Sequence, residues 1–258
     1  CISRSAIVPV ASSNLSAKVD FPWSICAIIQ KFRTLSLCFI IVSLYMKHNR
    51  GQIEFLPFLI YNIVEEHDMP RYIAITDIHG ELRKLESVLS QIETRPDDIF
   101  VFMGDYIDRG PDSKGVVERV IAQSETHKCI YLMGSHEYAL LHAKTDDYYQ
   151  FLFDNYGGPA TVKSYGSFEN IFKIHGDFFR NLKFYYLTDK YLFVHAGINP
   201  DYPLEEQDEV DLVYIRGKFI YSKHKLPQKI IFGHTEFDEP YIDEGKICID
   251  LGCGKYPN

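Results

Sequence analysis

Ile99-Phe-Val-Phe-Met-Gly-Asp-Tyr-Ile-Asp-Arg-Gly110 decides how this chain reads. A short run rich in β-branched and aromatic residues has the composition of a buried strand. It stops at a glycine, and two carboxylates and an arginine follow at once. Working outward, the same arrangement recurs four times. Tyr72-Ile-Ala-Ile-Thr76 leads into Asp77-Ile-His79-Gly80, and Cys129-Ile-Tyr-Leu-Met133 into Gly134-Ser-His-Glu137. Tyr191-Leu-Phe-Val194 leads into His195-Ala-Gly197, and Lys229-Ile-Ile-Phe232 into Gly233-His-Thr235. In α/β sheets, ligands sit outside the carboxyl ends of the strands. Strand ends carrying Asp77, His79, Asp105, His136, His195 and His234 therefore predict one shared site. Aspartate and histidine without cysteine suit hard or borderline divalent ions, in the range of manganese, iron and zinc.

Helical spacing fills the gaps between these runs. Residues 81–91 put Leu82, Leu85, Val88 and Leu89 on one face, and residues 113–123 do the same with Val116, Val117, Val120 and Ile121. Residues 138–143 continue the third polar block as a helix, and residues 210–220 are expected to form a helix carrying Arg216. Residues 146–187 are dense in aromatics. They predict a helical insert beside the site, most of whose rings build a small core under the sheet. Gly157-Gly158-Pro159 marks a turn within it.

Composition sets outer bounds. The 258 residues are 46% hydrophobic and 24% charged, an ordinary globular balance with length enough for a large core. The net charge is −8, and its acidic excess lies from Met69 onward, where 30 Asp and Glu face 21 Lys and Arg. An acidic body argues against non-specific nucleic-acid binding. Cysteines 1, 26, 38, 129, 248 and 253 form no C-x-x-C pair, which fits a reducing, cytoplasmic setting better than a disulfide framework. Residues 1–68 carry no motif, and Met69 immediately precedes the first strand. The expected division is an N-terminal extension, 1–68, of doubtful structure and a catalytic domain, 69–258. The apolar run at 34–46 falls short of the roughly 20 residues a membrane span needs, so no membrane association is expected. The oligomeric state is left open.

The polar blocks resemble those of the metallophosphoesterase superfamily, most closely its phosphoprotein phosphatase branch. That branch is marked by G-D-x-H-G, G-D-x-x-D-R-G, G-N-H-E, H-A-G and G-H-T in that order, and the five blocks here follow it from Thr76 to Thr235. Small bacterial and lambda-phage protein phosphatases are the nearer likeness, and symmetrical diadenosine tetraphosphatases share much of the pattern. Thr76 stands where the pattern has glycine, and Ser135 where it has asparagine. Relatives of this kind continue past the strand near 247–251, so the resemblance also implies a shortened C-terminus.

The resemblance implies an α/β fold of the calcineurin-like metallophosphoesterase type, a sandwich of two mixed β-sheets flanked by helices. It implies two divalent ions, manganese first, with iron or zinc as alternatives. Asp105 would bridge them, with Asp77 and His79 completing one metal and Ser135, His195 and His234 the other. A hydroxide shared by the ions would attack phosphorus directly. His136 would be the general acid, oriented by Asp108, and Arg109 and Arg216 would clamp phosphate. The implied activity is phosphomonoester hydrolysis, on protein phosphoserine or phosphothreonine or on a small phosphoester. One alternative is a symmetrical bis(5'-nucleosyl)-tetraphosphatase. Another, motivated by Ser135, is a weakly active phosphate-binding relative. Glu137 is expected to support the site, Asp112 and Asn199 to act as turn and cap residues, and His127, His142, His175 and His224 to be structural or solvent-facing.

Overall fold

The computed structural model describes residues 70–254, together with the backbone of three short strands ahead of them, β1 (Phe39–Ile41), β2 (Lys47–Asn49) and β3 (Gln52–Glu54). Cys1–Leu35 lies outside the described residues. So does the apolar run at 34–46, apart from β1. Among the described residues, no helix is long and apolar enough to cross a membrane.

From residue 70 the chain alternates strand and helix. β4 (Tyr72–Ile75), α1 (Leu82–Gln91), β5 (Ile99–Phe102), α2 (Ser113–Ala122) and β6 (Lys128–Tyr131) come first. They form a sheet of order β1-β4-β5-β6 in which every pairing is parallel. Every residue of β4 and β5 is buried, which leaves no alternation to read: Ile73, Phe100 and Phe102 share an apolar cluster with the helices, while the Tyr72 ring meets Tyr186 and Phe193 of the second sheet. α1 buries Leu85 and Val88, as its spacing predicts, and α2 starts at an Asp112 cap that accepts from the Gly115 amide at 2.9 Å.

α3 (Ser135–His142) begins inside the third polar block rather than after it. The insert follows as α4 (Asp147–Asn155), α5 (Gly158–Tyr165) and α6 (Phe168–Arg180). Phe153, Tyr165 and Phe179 are buried, whereas Tyr148, Phe151 and Tyr156 lie on the surface. The rings therefore divide between core and rim.

The second sheet is mixed, with order β10-β11-β9-β8-β7. Its strands are β7 (Tyr185–Leu187), β8 (Tyr191–Val194), β9 (Lys229–Phe232), β10 (Tyr241–Ile242) and β11 (Lys246–Cys248). β8, β9 and β11 run parallel and the edge strands β7 and β10 antiparallel. Each sheet has its own apolar cluster, one around Ile73, Phe100, Phe102 and Phe179, the other around Leu192, Phe219, Ile230 and Phe232. Fully burying one such side chain contributes about 1.5–3 kcal/mol relative to leaving it exposed.

The helix expected over 210–220 is broken. α7 (Glu209–Tyr214) ends where Ile215 turns to ψ 143°, and α8 (Gly217–Ile220) restarts after Arg216 at φ −133°. Gly217, the first residue of α8, has a low helix propensity that weakens a continuous helix through 210–220. The break carries Arg216 to the loop after β9, where its Nη1 donates to the His234 carbonyl at 2.9 Å.

Candidate metal centre

The residues singled out at the strand ends share an unusual backbone. Among the described residues, the non-glycine positions with positive φ are Asp77 (52°), His79 (49°), Asp105 (53°), Asp108 (71°), Arg109 (66°) and His234 (62°). Each such conformation costs about 1–3 kcal/mol and persists only where its surroundings over-determine it. Here main-chain bonds tie the loop after β4 to the loop after β5. The His79 amide donates to the Asp105 carbonyl at 2.9 Å, the Gly80 amide to that of Tyr106 at 2.8 Å, and the Gly110 amide to that of His79 at 2.9 Å. Glu137, fully buried at the start of α3, receives the amides of Asp105 and Tyr106 at 2.8 Å each and of Ile107 at 3.2 Å. A β-carbon on Gly134 would overlap the Asp105 amide, so glycine is needed there for the β5 and β6 loops to meet.

These loops bring metal-ligating atoms into two groups, His79 with Asp105 and His136, and Asp105 with His195 and His234, each group lying within 4.8 Å. Asp105 belongs to both. Its Oδ1 is 3.4 Å from His195 Nε2 and its Oδ2 is 3.7 Å from His79 Nε2. The other ring nitrogens set the tautomers. His79 Nδ1 lies 3.1 Å from the Ile107 carbonyl and His195 Nδ1 2.9 Å from that of Met103, so each Nδ1 carries a proton and each Nε2 is the atom turned inward, able to ligate in its unprotonated form. His234 Nε2 is buried and has no hydrogen-bond partner among the described residues. A buried imidazole nitrogen without a partner, beside carboxylates and other imidazole lone pairs, fits divalent cations. Asp77 stands outside both groups but on the same wall. Its Oδ2 accepts from the His234 amide at 3.1 Å and from Thr76 Oγ1 at 2.6 Å. The Thr76 hydroxyl thus orients a candidate ligand, a task glycine could not perform.

The electrostatics agree. Burial, then the charge of His136, holds His79 well below the usual histidine range, and burial with His195 and Arg216 does the same to His234. Neutral imidazoles are the form that ligates metal. Burial opposes ionisation of Asp105, yet His195, His136 and His79 around it keep its carboxyl well below the usual carboxylate range. Burial pushes Asp77 up, His195 opposes, and the charge of Asp105 adds to the rise. Such crowded, desolvated acids and imidazoles are the environment a bound cation relieves.

Of the remaining predicted residues, Arg109 and Arg216 reach the cleft, whereas Ser135, His136 and Asp108 are buried and are not among its lining residues. Ser135 Oγ donates toward Asp105 at 3.3 Å from Oδ1 and 3.2 Å from Oδ2, so its hydroxyl faces the shared carboxylate. His136 Nδ1 is 2.7 Å from Asp108 Oδ2, and its Nε2 lies 3.3 Å from Arg109 Nη2. Burial disfavours the imidazolium of His136, but Asp105 and Asp108 raise it above its ordinary value. A cleft of about 360 Å³ opens over Asp77, His79, Asp105 and His234, with Arg109 and Arg216 on its rim.

Three features lay outside the sequence reading. Asp250, 4% exposed, lines the cleft, and burial followed by the charge of Asp77 pushes its carboxyl well above the usual range. It follows strand β11, so the strand-end rule could have found it. Glu236 lines the same wall. Tyr214 Oη donates to the Ser135 carbonyl at 2.8 Å while its ring stands edge-on to His234 at 6.0 Å. The supporting roles hold in outline. Asn199 bonds Asp211 at 2.8 Å and the Asp201 amide at 3.2 Å, away from the cleft.

Comparison with known proteins follows the same lines. The family model described as calcineurin-like phosphoesterase matches residues 70–253. A bis(5'-nucleosyl)-tetraphosphatase PrpE [asymmetrical] of Anoxybacillus flavithermus is 27% identical over 217 residues, covering 70% of this chain and 85% of that protein. An uncharacterized protein of Methanocaldococcus jannaschii is 28% identical over 190 residues, 68% of this chain and 69% of its own. Among solved structures, a provisionally assigned diadenosine tetraphosphatase superposes with TM-score 0.53 at 20% identity, covering 73% of this chain and 86% of the other. A protein serine/threonine phosphatase from Saccharomyces cerevisiae with similarity to human phosphatase PP5 gives 0.50 at 18% identity, covering 69% and 65%. At those identities the superpositions speak for the fold alone. Matched over most of its described length, this chain belongs to the calcineurin-like phosphoesterase family and has that family's two-sheet α/β fold.

Proposed function

We propose that this protein is a phosphatase dependent on two divalent metal ions, acting on phosphomonoesters and most directly on protein phosphoserine and phosphothreonine. The observation that carries the reading is the His136–Asp108 pair, 2.7 Å apart and set beside a carboxylate shared by two ligand groups. Asp77, His79 and Asp105 would hold one ion, and Asp105, His195, His234 and Ser135 the other. Manganese is the proposed metal, with iron or zinc as alternatives for the same donors. Such ions would supply Lewis-acid charge and lower the pKa of a bound water.

The chain's own groups do the rest. Arg109 and Arg216, on the cleft rim, hold the phosphate oxygens, for which a guanidinium fork is suited. His136 gives a proton from Nε2 to the departing alkoxide, and Asp108 keeps the ring oriented and favours its imidazolium form. Glu137 holds the Asp105 loop by its three amide bonds.

A second reading is hydrolysis of dinucleoside polyphosphates. The names of the curated relatives favour it, and they specify the asymmetrical reaction where the sequence resemblance suggested the symmetrical one. The alkoxide leaving group of a phosphomonoester needs the proton His136 would give far more than a phosphate leaving group does, which favours the first reading. We place the catalytic unit at residues 69–258, in keeping with a family match over 70–253, and the protein in the cytoplasm. The test is metal-reconstituted turnover on a phosphoserine peptide, diadenosine tetraphosphate and an aryl phosphate. Highest kcat/KM on the peptide supports the reading. A decisive preference for the tetraphosphate replaces it with the second, and tight phosphate binding without turnover on any substrate replaces it with a phosphate-binding role.

A further inference from the structure

Arg109 is not idle in the cleft. Its Nη2 lies 3.3 Å from His136 Nε2, and its Nη1 lies 3.7 Å from Glu236 Oε1, with both partners of the ion pair about one third exposed, at 33% and 32%. The guanidinium therefore lies between the candidate general acid and a carboxylate that also lines the cleft. Glu236 is held in place there. It follows the Gly233-His-Thr235 block, and the next residue, Phe237, donates its amide to the Asp250 carbonyl at 3.1 Å, which fixes the segment beside the end of β11. The cleft holds Arg109 and Glu236 together with Asp77, Asp105 and Asp250.

We propose that Glu236 occupies Arg109 in place of phosphate oxygens, so that phosphate must displace this carboxylate to be clamped, and that Glu236 thereby sets how tightly the cleft holds its anion. The proposal rests on Arg109 being a phosphate clamp. A carboxylate and a phosphate offer the guanidinium the same paired acceptor oxygens, so they compete for one set of donors. The displaced Glu236 keeps its charge on the cleft wall and repels the incoming anion as well. Both effects weaken the hold on substrate and on product phosphate alike. Arg109 drawn onto phosphate also leaves His136 Nε2, which must bear a proton to act as an acid.

The test uses the full chain loaded with manganese and inorganic phosphate as the probe, with affinity read by calorimetry for the native protein, Glu236→Gln, Glu236→Asp, Arg109→Gln and the double variant Glu236→Gln/Arg109→Gln. Glu236→Gln is expected to bind phosphate about two- to fivefold tighter, the range an exposed ion pair is worth. Glu236→Asp, one methylene shorter and still charged, is expected to fall between the two. In the Arg109→Gln background the gain is expected to shrink to what relief of the direct repulsion contributes, because the competition acts through that guanidinium. Unchanged or weaker binding in Glu236→Gln, or an equal gain with and without Arg109, overturns the proposal while leaving the clamp in place. An Arg109→Gln variant that binds phosphate as tightly as the native protein overturns the clamp itself, and this proposal falls with it.

Discussion

Asp108 faces His136 with one carboxylate oxygen and Thr161 with the other. Oδ2 lies 2.7 Å from His136 Nδ1, and Oδ1 accepts from Thr161 Oγ1 at 2.6 Å. The Asp108 amide also donates to Thr161 Oγ1 at 2.9 Å and to Ser113 Oγ at 3.1 Å. A residue of α5 thus fixes a left-handed turn in the loop after β5, and that turn aims the imidazole. His136→Asn is expected to slow hydrolysis of alkyl phosphates about 10²–10⁴-fold, the usual worth of general acid catalysis. Activated aryl phosphates, whose leaving groups need no proton, lose much less. Equal losses on both substrates, read from steady-state rates, would remove His136 from that role.

Thr161 is fully buried, and its hydroxyl is shared by Asp108 and Ser113. Thr161→Val keeps the volume and strips the hydroxyl, leaving Asp108 Oδ1 without its donor and the Asp108 amide with Ser113 Oγ alone. The expected cost is about 1–3 kcal/mol of stability by denaturant melting. Turnover on alkyl phosphates falls more than on aryl phosphates, since the damage reaches chemistry through His136. A fully stable variant would mean that Asp108 finds another donor.

Ser135 bears on the strength of the proposed second metal site. Its hydroxyl points at the Asp105 carboxylate from 3.2 and 3.3 Å, which places a short donor where the family pattern has an amide carbonyl. Ser135→Asn is expected to raise manganese affinity and turnover together. A titration in which neither changes would show that the site works as well with serine.

Much of this was legible in the sequence, and the reason is physical. Parallel strands buried on both faces read as plain apolar runs, as Tyr72–Ile75 and Ile99–Phe102 do, and ligands gather where such runs end. That located Asp77, Asp105, His195 and His234 without any structure. The break at Arg216 was hidden, because residues 210–220 keep helical apolar spacing while the bond to the His234 carbonyl, far along the chain, decides the backbone. Glu236 was hidden for a similar reason. It earns its place only through the contact of its segment with Asp250, which no local pattern encodes.

The metal-free protein should answer to pH in a definite direction. Burial opposes the charge on His195, but Asp105 at 3.4 Å and Asp77 push its pKa from 6.5 up to about 9. The stability this protonation contributes is present in full below pH 6.5 and is lost as pH rises through about 9. A metal ligand must be neutral, so manganese binding below that pH displaces the proton. Calorimetry at pH 7 in buffers of different ionisation enthalpy is expected to show release of about one proton from this group. Binding heats independent of buffer would contradict the assignment of His195 as a ligand.

A chain that starts at Met69 tests the proposed boundary. All the candidate ligands lie beyond it, although β1 pairs with β4 over Phe39–Ile41 and its removal bares that strand's edge. Metal content and turnover are expected to match those of the full chain. A truncated protein that is folded but cannot hold metal would move the boundary toward the N-terminus.

The account turns on Asp105 as the carboxylate both ions share. Asp105→Asn keeps the size of the side chain and removes its charge, and elemental analysis of the purified, folded variant reads the consequence directly. The account predicts metal content falling from two ions per chain toward none, with turnover lost alongside. Two ions per chain in folded Asp105→Asn would contradict it.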